Sequence, residues 1–208
     1  YQPGVLFIWC RGGTFTNARI TKCSGGGSGS GAAIGLAGTT NSLISHCIIN
    51  DNRVQGASAE SIVYLYGGTL ANSLVVKNTY FTQGCLSIRG PANVWNCTVA
   101  DNTCRNDSTA RVCGGIYWTV DFGDATKATV RNSLVARNTA EKDTSAGAPE
   151  WYRNGSTEAN FTNCFMSCAW GSGVPLVGAQ AVAVANASVF VNAAGGDYHI
   201  DTGSAAFN

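Results

Sequence analysis

"GGTLANSLVVKNT", Gly67–Thr79, decides the fold, because close copies of it recur along the chain. Searching for a large apolar residue followed two positions later by Asn or a substitute finds "FTNARITKC" from Phe15, "ISHCIINDN" from Ile44 and "LANSLVVKN" from Leu70. It also finds "VWNCTVADN" from Val94, "VRNSLVARN" from Val130 and "FTNCFMSCA" from Phe161. The steps are 29, 26, 24, 36 and 31 residues. A period of roughly 20–50 residues is the mark of a repeat architecture.

Reading down the copies gives columns of constant chemistry. Phe15, Ile44, Leu70, Val94, Val130 and Phe161 are large and apolar. Two residues on come Asn17, His46, Asn72, Asn96, Asn132 and Asn163, followed by the small residues Ala18, Cys47, Ser73, Cys97, Ser133 and Cys164. Two further on, Ile20, Ile49, Val75, Val99, Val135 and Met166 are apolar again. Four copies end in a second Asn: Asn52, Asn78, Asn102 and Asn138. Small-x-apolar is a period-two strand pattern with one face inward. Asn tolerates the left-handed backbone conformation and bonds its neighbouring backbone, so both Asn columns read as corners. Stacked at the same height in each coil, their amides form a hydrogen-bonded ladder.

Each copy follows a strand ending in glycine: "FIWCRGG" (7–13), "AAIGLAG" (32–38), "IVYLYGG" (62–68), "CLSIRG" (85–90), "GIYWTVDFG" (115–123) and "EWYRNG" (150–155). No segment carries a helical apolar stripe with caps. Three short strands in roughly 25 residues, repeated, predict an all-β parallel β-helix of about six to seven coils. Residues 1–208 read as one domain, with repeated coils over 1–170 and a closing segment over 171–208.

Composition removes several functions. Charged residues are 12% of the 208 and the net charge is +1, with the thirteen basic residues scattered. Nucleic acid and anionic membranes need clustered Lys and Arg, so neither is expected as a partner. No apolar run approaches the roughly 20 residues of a membrane helix. Tyr1 opens directly on strand-like sequence with no signal peptide visible, so the chain reads as mature or as cut from something larger. The run "CSGGGSGSG" (23–31) lacks the Lys-Ser/Thr of a phosphate loop, and no cofactor is implied.

"GGIY" at Gly114–Tyr117 followed by "VRNSLVARNT" at Val130–Thr139 resembles the repeats of right-handed parallel β-helix proteins of bacterial cell surfaces, close to polymorphic outer membrane protein repeats. Those repeats use Phe-x-x-Asn, where this chain has Phe-Thr-Asn at 15–17 and 161–163. "SVFVNAAGGDYHIDTGSAAFN" (188–208) resembles the terminal segment of many secreted β-helix proteins through Asp197–Ile200 and Gly203–Ala206, with Ala205 where Pro is usual. The resemblance implies an exported, extracellular or cell-surface protein whose C-terminal segment closes the last coil. It implies little about activity, since the scaffold hosts lyases, hydrolases, adhesins and structural proteins.

Nine cysteines in such a protein raise a disulfide framework. Cys47, Cys97 and Cys164 share the small column and read as buried. Cys104 and Cys113 bracket "RNDSTARV" and are the pair best placed for a bridge. With no Cys-x-x-Cys and two His, no metal site is expected.

A lyase needs a base, and a glycosidase two carboxylates. The candidates are Arg89, Asp121 and Asp124, with Arg11, Arg89 and Arg153 as a cationic track. No acid/base set recurs from coil to coil. Trp9, Tyr64, Tyr66, Tyr117, Trp118, Trp151 and Tyr152 all fall in the glycine-ended strands, where alternation turns some outward as a row for sugars or protein. An end of the stack left open offers strand edges to another copy. The expectation is a non-catalytic structural or adhesive protein, assembling end to end or within a larger surface protein; the alternative binds or degrades extracellular polysaccharide.

Overall fold

Runs of three or four apolar residues between tight corners are too short to stand alone, so each pairs with the same run one coil away. The structure is a computed structural model that describes residues 8–26, 34–36, 41–55, 61–81, 83–105, 113–119, 128–141, 150–154, 160–166, 179–181 and 189–204. Within them the chain winds through parallel ladders. Sheet A stacks Ile8–Cys10, Ile34–Leu36, Val63–Leu65, Leu86–Ile88, Ile116–Thr119 and Trp151–Asn154. Sheet B stacks Gly13–Thr16, Ser42–Ser45, Gly68–Ala71, Ala92–Trp95, Thr129–Arg131 and Phe161–Thr162. Sheet C runs from Arg19–Thr21 through Ile48–Asn50, Leu74–Val76, Thr98–Ala100, Leu134–Ala136 and Cys164–Met166 to Ala179–Ala181. These are the three strands per coil that the repeat predicts. A fourth, shorter ladder, sheet D, carries the chain back through Ser24–Gly26, Arg53–Gln55, Thr79–Tyr80, Thr103–Cys104 and Thr139–Ala140.

The columns read from the sequence are the register of the sheets. Phe15, Ile44, Leu70, Val94, Val130 and Phe161 face one another inside sheet B. Ile20, Ile49, Val75, Val99, Val135 and Met166 do the same inside sheet C. With Val63, Leu65, Leu86, Ile88, Ile116 and Trp118 from sheet A they form one core.

Both corners are left-handed. At the first, Asn17, His46, Asn72, Asn96, Asn132 and Asn163 have φ between 47° and 54°. At the second, the left-handed residue is the one before the Asn: Lys22, Asp51, Lys77, Asp101 and Arg137, with φ between 52° and 60°. Asn17, Asn72, Asn96, Asn132 and Asn163 therefore turn the chain with exposed side chains, and Asn96 Nδ2 donates to Asn72 Oδ1 at 3.2 Å. The buried amide ladder belongs to the second column.

A left-handed residue turns the next amide N–H along the solenoid axis, where no backbone carbonyl faces it. The following coil supplies the acceptor. At the second corner Cys23 N donates to Asn52 Oδ1, Asn52 N to Asn78 Oδ1, Asn78 N to Asn102 Oδ1 and Asn102 N to Asn138 Oδ1, at 3.0–3.1 Å. Each Nδ2 donates both to the next Asn and to a carbonyl of the preceding coil, as Asn102 does to Asn138 Oδ1 and Val75 O, both at 2.9 Å. The chain of amides ends on Glu150, whose Oε2 accepts Asn138 Nδ2 at 2.6 Å.

The small column does the same work at the first corner. Cys47 N donates to Ser73 Oγ and Cys97 N to Ser133 Oγ, both at 3.1 Å. In the alternate steps a thiol takes the place of the hydroxyl, and Cys97 and Cys164 also donate to the carbonyls of Leu70 and Val130 in the preceding coil, at 3.6 and 3.4 Å. Each hydroxyl or thiol passes its own proton to the carbonyl two residues back: Ser73 to Ala71 O at 2.7 Å, Cys97 to Trp95 O at 3.2 Å. Burial pushes the Cys97 thiol up to about 12. A raised thiol pKa adds stability that is complete below the unfolded value near 8.5–9 and is lost as pH rises toward the folded one. The protein is expected to lose stability progressively from Cys97 above pH ~9, by on the order of 1 kcal/mol per pH unit. Thermal melts from pH 8 to 11 check this. Cys97→Ser, which copies the neighbouring coils, should melt as the native chain does at pH 7 and flatten the alkaline decline.

Beyond the repeats, the described part of the chain adds a strand and a hairpin to the stack. Ala179–Ala181 adds one strand to sheet C, but the hairpin Phe190–Asn192/Asp197–Ile200 lies along the side of the stack. Val189, Phe190, Ala193 and Tyr198 cover the outward Val76, Ala100, Leu134 and Ala136, an apolar strip that needs a cover. Tyr198 Oη donates to Asp101 Oδ2 at 2.9 Å, and Asp101 also pairs with Arg137 at 2.7 Å.

Candidate functional site

Among the described side chains, the glycine-ended strands do not display the row of rings expected from alternation. Tyr64, Tyr117, Trp118 and Trp151 are buried, none more than 4% exposed, and Tyr66 is half-buried. Trp118 and Trp151 point into the core, where both pack on Phe161 with ring centroids 5.8 and 5.3 Å away. Trp118 shares an inward column with Leu65 and Ile88. Tyr64 and Tyr66 lie parallel at 6.2 Å. The side chains of Trp9 and Tyr152 lie outside the described residues.

Arg89 is not placed as a catalytic base. Its guanidinium sits over Tyr64 and Tyr66, 5.2 and 6.0 Å from the ring centroids, and bonds Gln83 Oε1 at 2.6 Å and Ser87 Oγ at 3.3 Å. Only 6% of it is exposed, so it fastens the outer side of sheet A. The arginine track is broken by register: Trp118 pairs with both Ile88 and Arg153, which puts Arg153 one column away from Arg89. Asp121 and Asp124 lie outside the described residues.

No disulfide joins Cys104 and Cys113; both are buried, as are Cys47, Cys85, Cys97 and Cys164, and Cys23 is half-buried. Cys104 sits in sheet D beside Tyr80 and donates to Phe81 O at 3.6 Å, while Cys113 donates to Ile116 O at 3.1 Å. Cys104 is thus engaged by the preceding coil and Cys113 by its own. The Tyr80 hydroxyl donates to Cys113 O, and burial, with the surrounding thiols, pushes its pKa well up.

The aromatic exposed among the described residues is one that reading the glycine-ended strands misses. Trp95 lies at the end of the fourth strand of sheet B and is 37% exposed. Val94 is an inward column residue, so alternation alone turns Trp95 outward. Its equivalents in register are Thr16, Ser45, Ala71, Arg131 and Thr162. The indole N–H donates to Thr129 Oγ1 at 3.1 Å, Thr129 Oγ1 donates to Asn93 Oδ1 at 2.8 Å, and Asn93 Nδ2 donates to Thr69 Oγ1 at 3.4 Å. The ring is held by a polar relay across three coils. Arg131 stands beside it, exposed, with the corner residues Asn72, Asn96 and Asn132 along one edge.

A recess of about 450 Å³ lies elsewhere, between Leu74 and the hairpin turn Gly195–His199. Its polar groups are turned on each other: His199 Nδ1 is 2.6 Å from Asp197 Oδ1, and the hydrogen bonds from His199 hold the Asp197 carboxyl below its usual range. Among the described residues no three His, Cys, Asp or Glu side chains come together to hold a metal ion, and no helix is long and apolar enough to cross a membrane. Comparison with protein-family models, with curated proteins and with solved structures gives no match to this chain, so its parallel β-helix and the flat face around Trp95 stand on its own geometry.

Proposed function

We propose that this chain is a non-catalytic structural and adhesive β-helix displayed on the outside of a bacterial cell. One observation carries the reading: the second Asn column and the serines of the small column bond from coil to coil inside the stack, so what these repeated polar residues supply is coil-to-coil cohesion. Arg89, the described candidate base, is packed over tyrosines in the same way. The resemblance to cell-surface β-helix repeats supports the location.

Two forms of assembly follow from the stack. In the first, copies add end to end in register. Among the described coils the acceptor column runs from Ala18 to Ala179, and alanine has no acceptor to offer. Stacking Ala179 of one copy on Ala18 of another would bury an amide without a partner, costing about 1–3 kcal/mol. The second form, coils presented by their flanks within a larger surface protein, avoids that cost and is the one proposed. Sedimentation over a hundredfold rise in concentration should give one constant mass, with mass growth overturning this form. Beads coated with the folded chain should adhere to glycan-bearing cells more than beads coated with the heat-denatured chain, and uronate polymers should yield no ultraviolet-absorbing unsaturated product. Equal adhesion, or product, would sink the adhesive, non-catalytic reading.

A further inference from the structure

We propose that the outer face of sheet B, centred on Trp95 and Arg131, binds an acidic polysaccharide chain. This deepens the adhesive reading by naming the ligand class and the residues that hold it.

Three features point there. The ring of Trp95 is exposed in mid-face, in the fourth of six strands, and its position is fixed by the bond to Thr129. A fixed ring loses little rotamer freedom on binding, which is the condition for a good stacking surface. Thr69, Asn93 and Thr129, in the neighbouring outward column, supply hydroxyls and an amide that both donate and accept, the complement of a sugar's hydroxyls. Arg131 lies opposite Trp95 in register on the next coil. No carboxylate occurs at the described positions of the outward columns or of the first-corner column of this face. A planar guanidinium beside an aromatic ring pairs with the carboxylate of a uronate whose ring stacks on the indole.

The shape selects a polymer. The site is a flat sheet surface, where a small molecule would remain mostly in water, whereas ligand pockets for single small molecules are concave. Groups repeating about every 4.8 Å along the axis suit a chain of repeated units.

Affinity electrophoresis through polygalacturonate, with a neutral β-glucan gel as control, tests the proposal. The native chain is expected to be retarded by polygalacturonate, and less so as salt rises. Trp95→Ala should weaken binding about tenfold or more, a change of about 1.4 kcal/mol or more in binding free energy. Arg131→Gln should remove most of the salt dependence. Both are surface changes, and unchanged melting temperatures would show that the variants fold. Retardation of Trp95→Ala equal to native, or no retardation of the native chain, overturns the site. Binding to the neutral glucan alone overturns the role of Arg131. Bead adhesion that persists in Trp95→Ala would remove this site while leaving the adhesive reading intact.

Discussion

Replacing Asn102 by Ala is expected to destabilise the protein by about 3–5 kcal/mol, enough to unfold a domain of ordinary stability. Asn102 is fully buried and makes four hydrogen bonds with its side chain. Its loss leaves Asn78 N with no acceptor in the interior and Val75 O without the Asn102 amide, and it opens a gap between coils three and five. Each buried orphan costs about 1–3 kcal/mol, and the cavity adds to that. Asn102→Asp separates the terms. A carboxylate still accepts from Asn78, but it faces Val75 O and Asn138 Oδ1 with no proton to give. Its folded pKa is therefore raised, so the variant is most stable at acid pH and weakens as pH rises through that value. Urea denaturation at pH 4 and pH 7 measures both. An Asn102→Ala loss under 1 kcal/mol would show that the ladder does not hold the coils.

Gly115→Ala is expected to cost about 3 kcal/mol or more. A Cβ there would lie 2.1 Å from the Glu150 carbonyl oxygen and 3.1 Å from Asn138 Nδ2. The Glu150 carbonyl accepts Ile116 N at 2.9 Å and the Glu150 side chain terminates the amide ladder, so backbone cannot give way there without releasing both. Gly12→Ala is the control: nothing lies within 4 Å of its added Cβ, and the change should stay within about 0.5 kcal/mol. Matched denaturation curves for the two variants decide the point. Equal stability would mean that coils five and six move apart freely.

These two residues also show where the sequence is legible. The Asn columns announce corners, and the left-handed φ values fall on the first of them. The second left-handed position was hidden because Lys22, Asp51, Lys77, Asp101 and Arg137 have no common side chain. What unites them is alternating charge, read only once stacking places Asp101 against Arg137. The Gly114–Gly115 pair leads into the strand Ile116–Thr119, and both glycines serve close approach: an added Cβ on Gly114 would meet Thr139 N at 2.3 Å. Nothing local in "CGGIYW" reveals that neighbour, which lies a coil away.

The candidate site was less legible. Aromatic content singled out Tyr64, Tyr117, Trp118 and Trp151, all of which the structure buries, while Trp95 went unnoticed inside a repeat unit. The alternation of "VWN" was enough to turn Trp95 outward, but its exposure depends on Ala71 and Arg131 in the adjacent coils.

The sequence by itself determined the solenoid, its coil number and its inward columns, because a period-two pattern repeated at coil length has one way to bury its apolar face. Only the tertiary structure decided which polar column is the ladder, which thiols stay unbridged, where the C-terminal hairpin rests and which ring meets solvent. Each of those depends on what stands about 4.8 Å away along the axis, in a coil some two dozen or more residues distant, and local pattern carries no record of that neighbour.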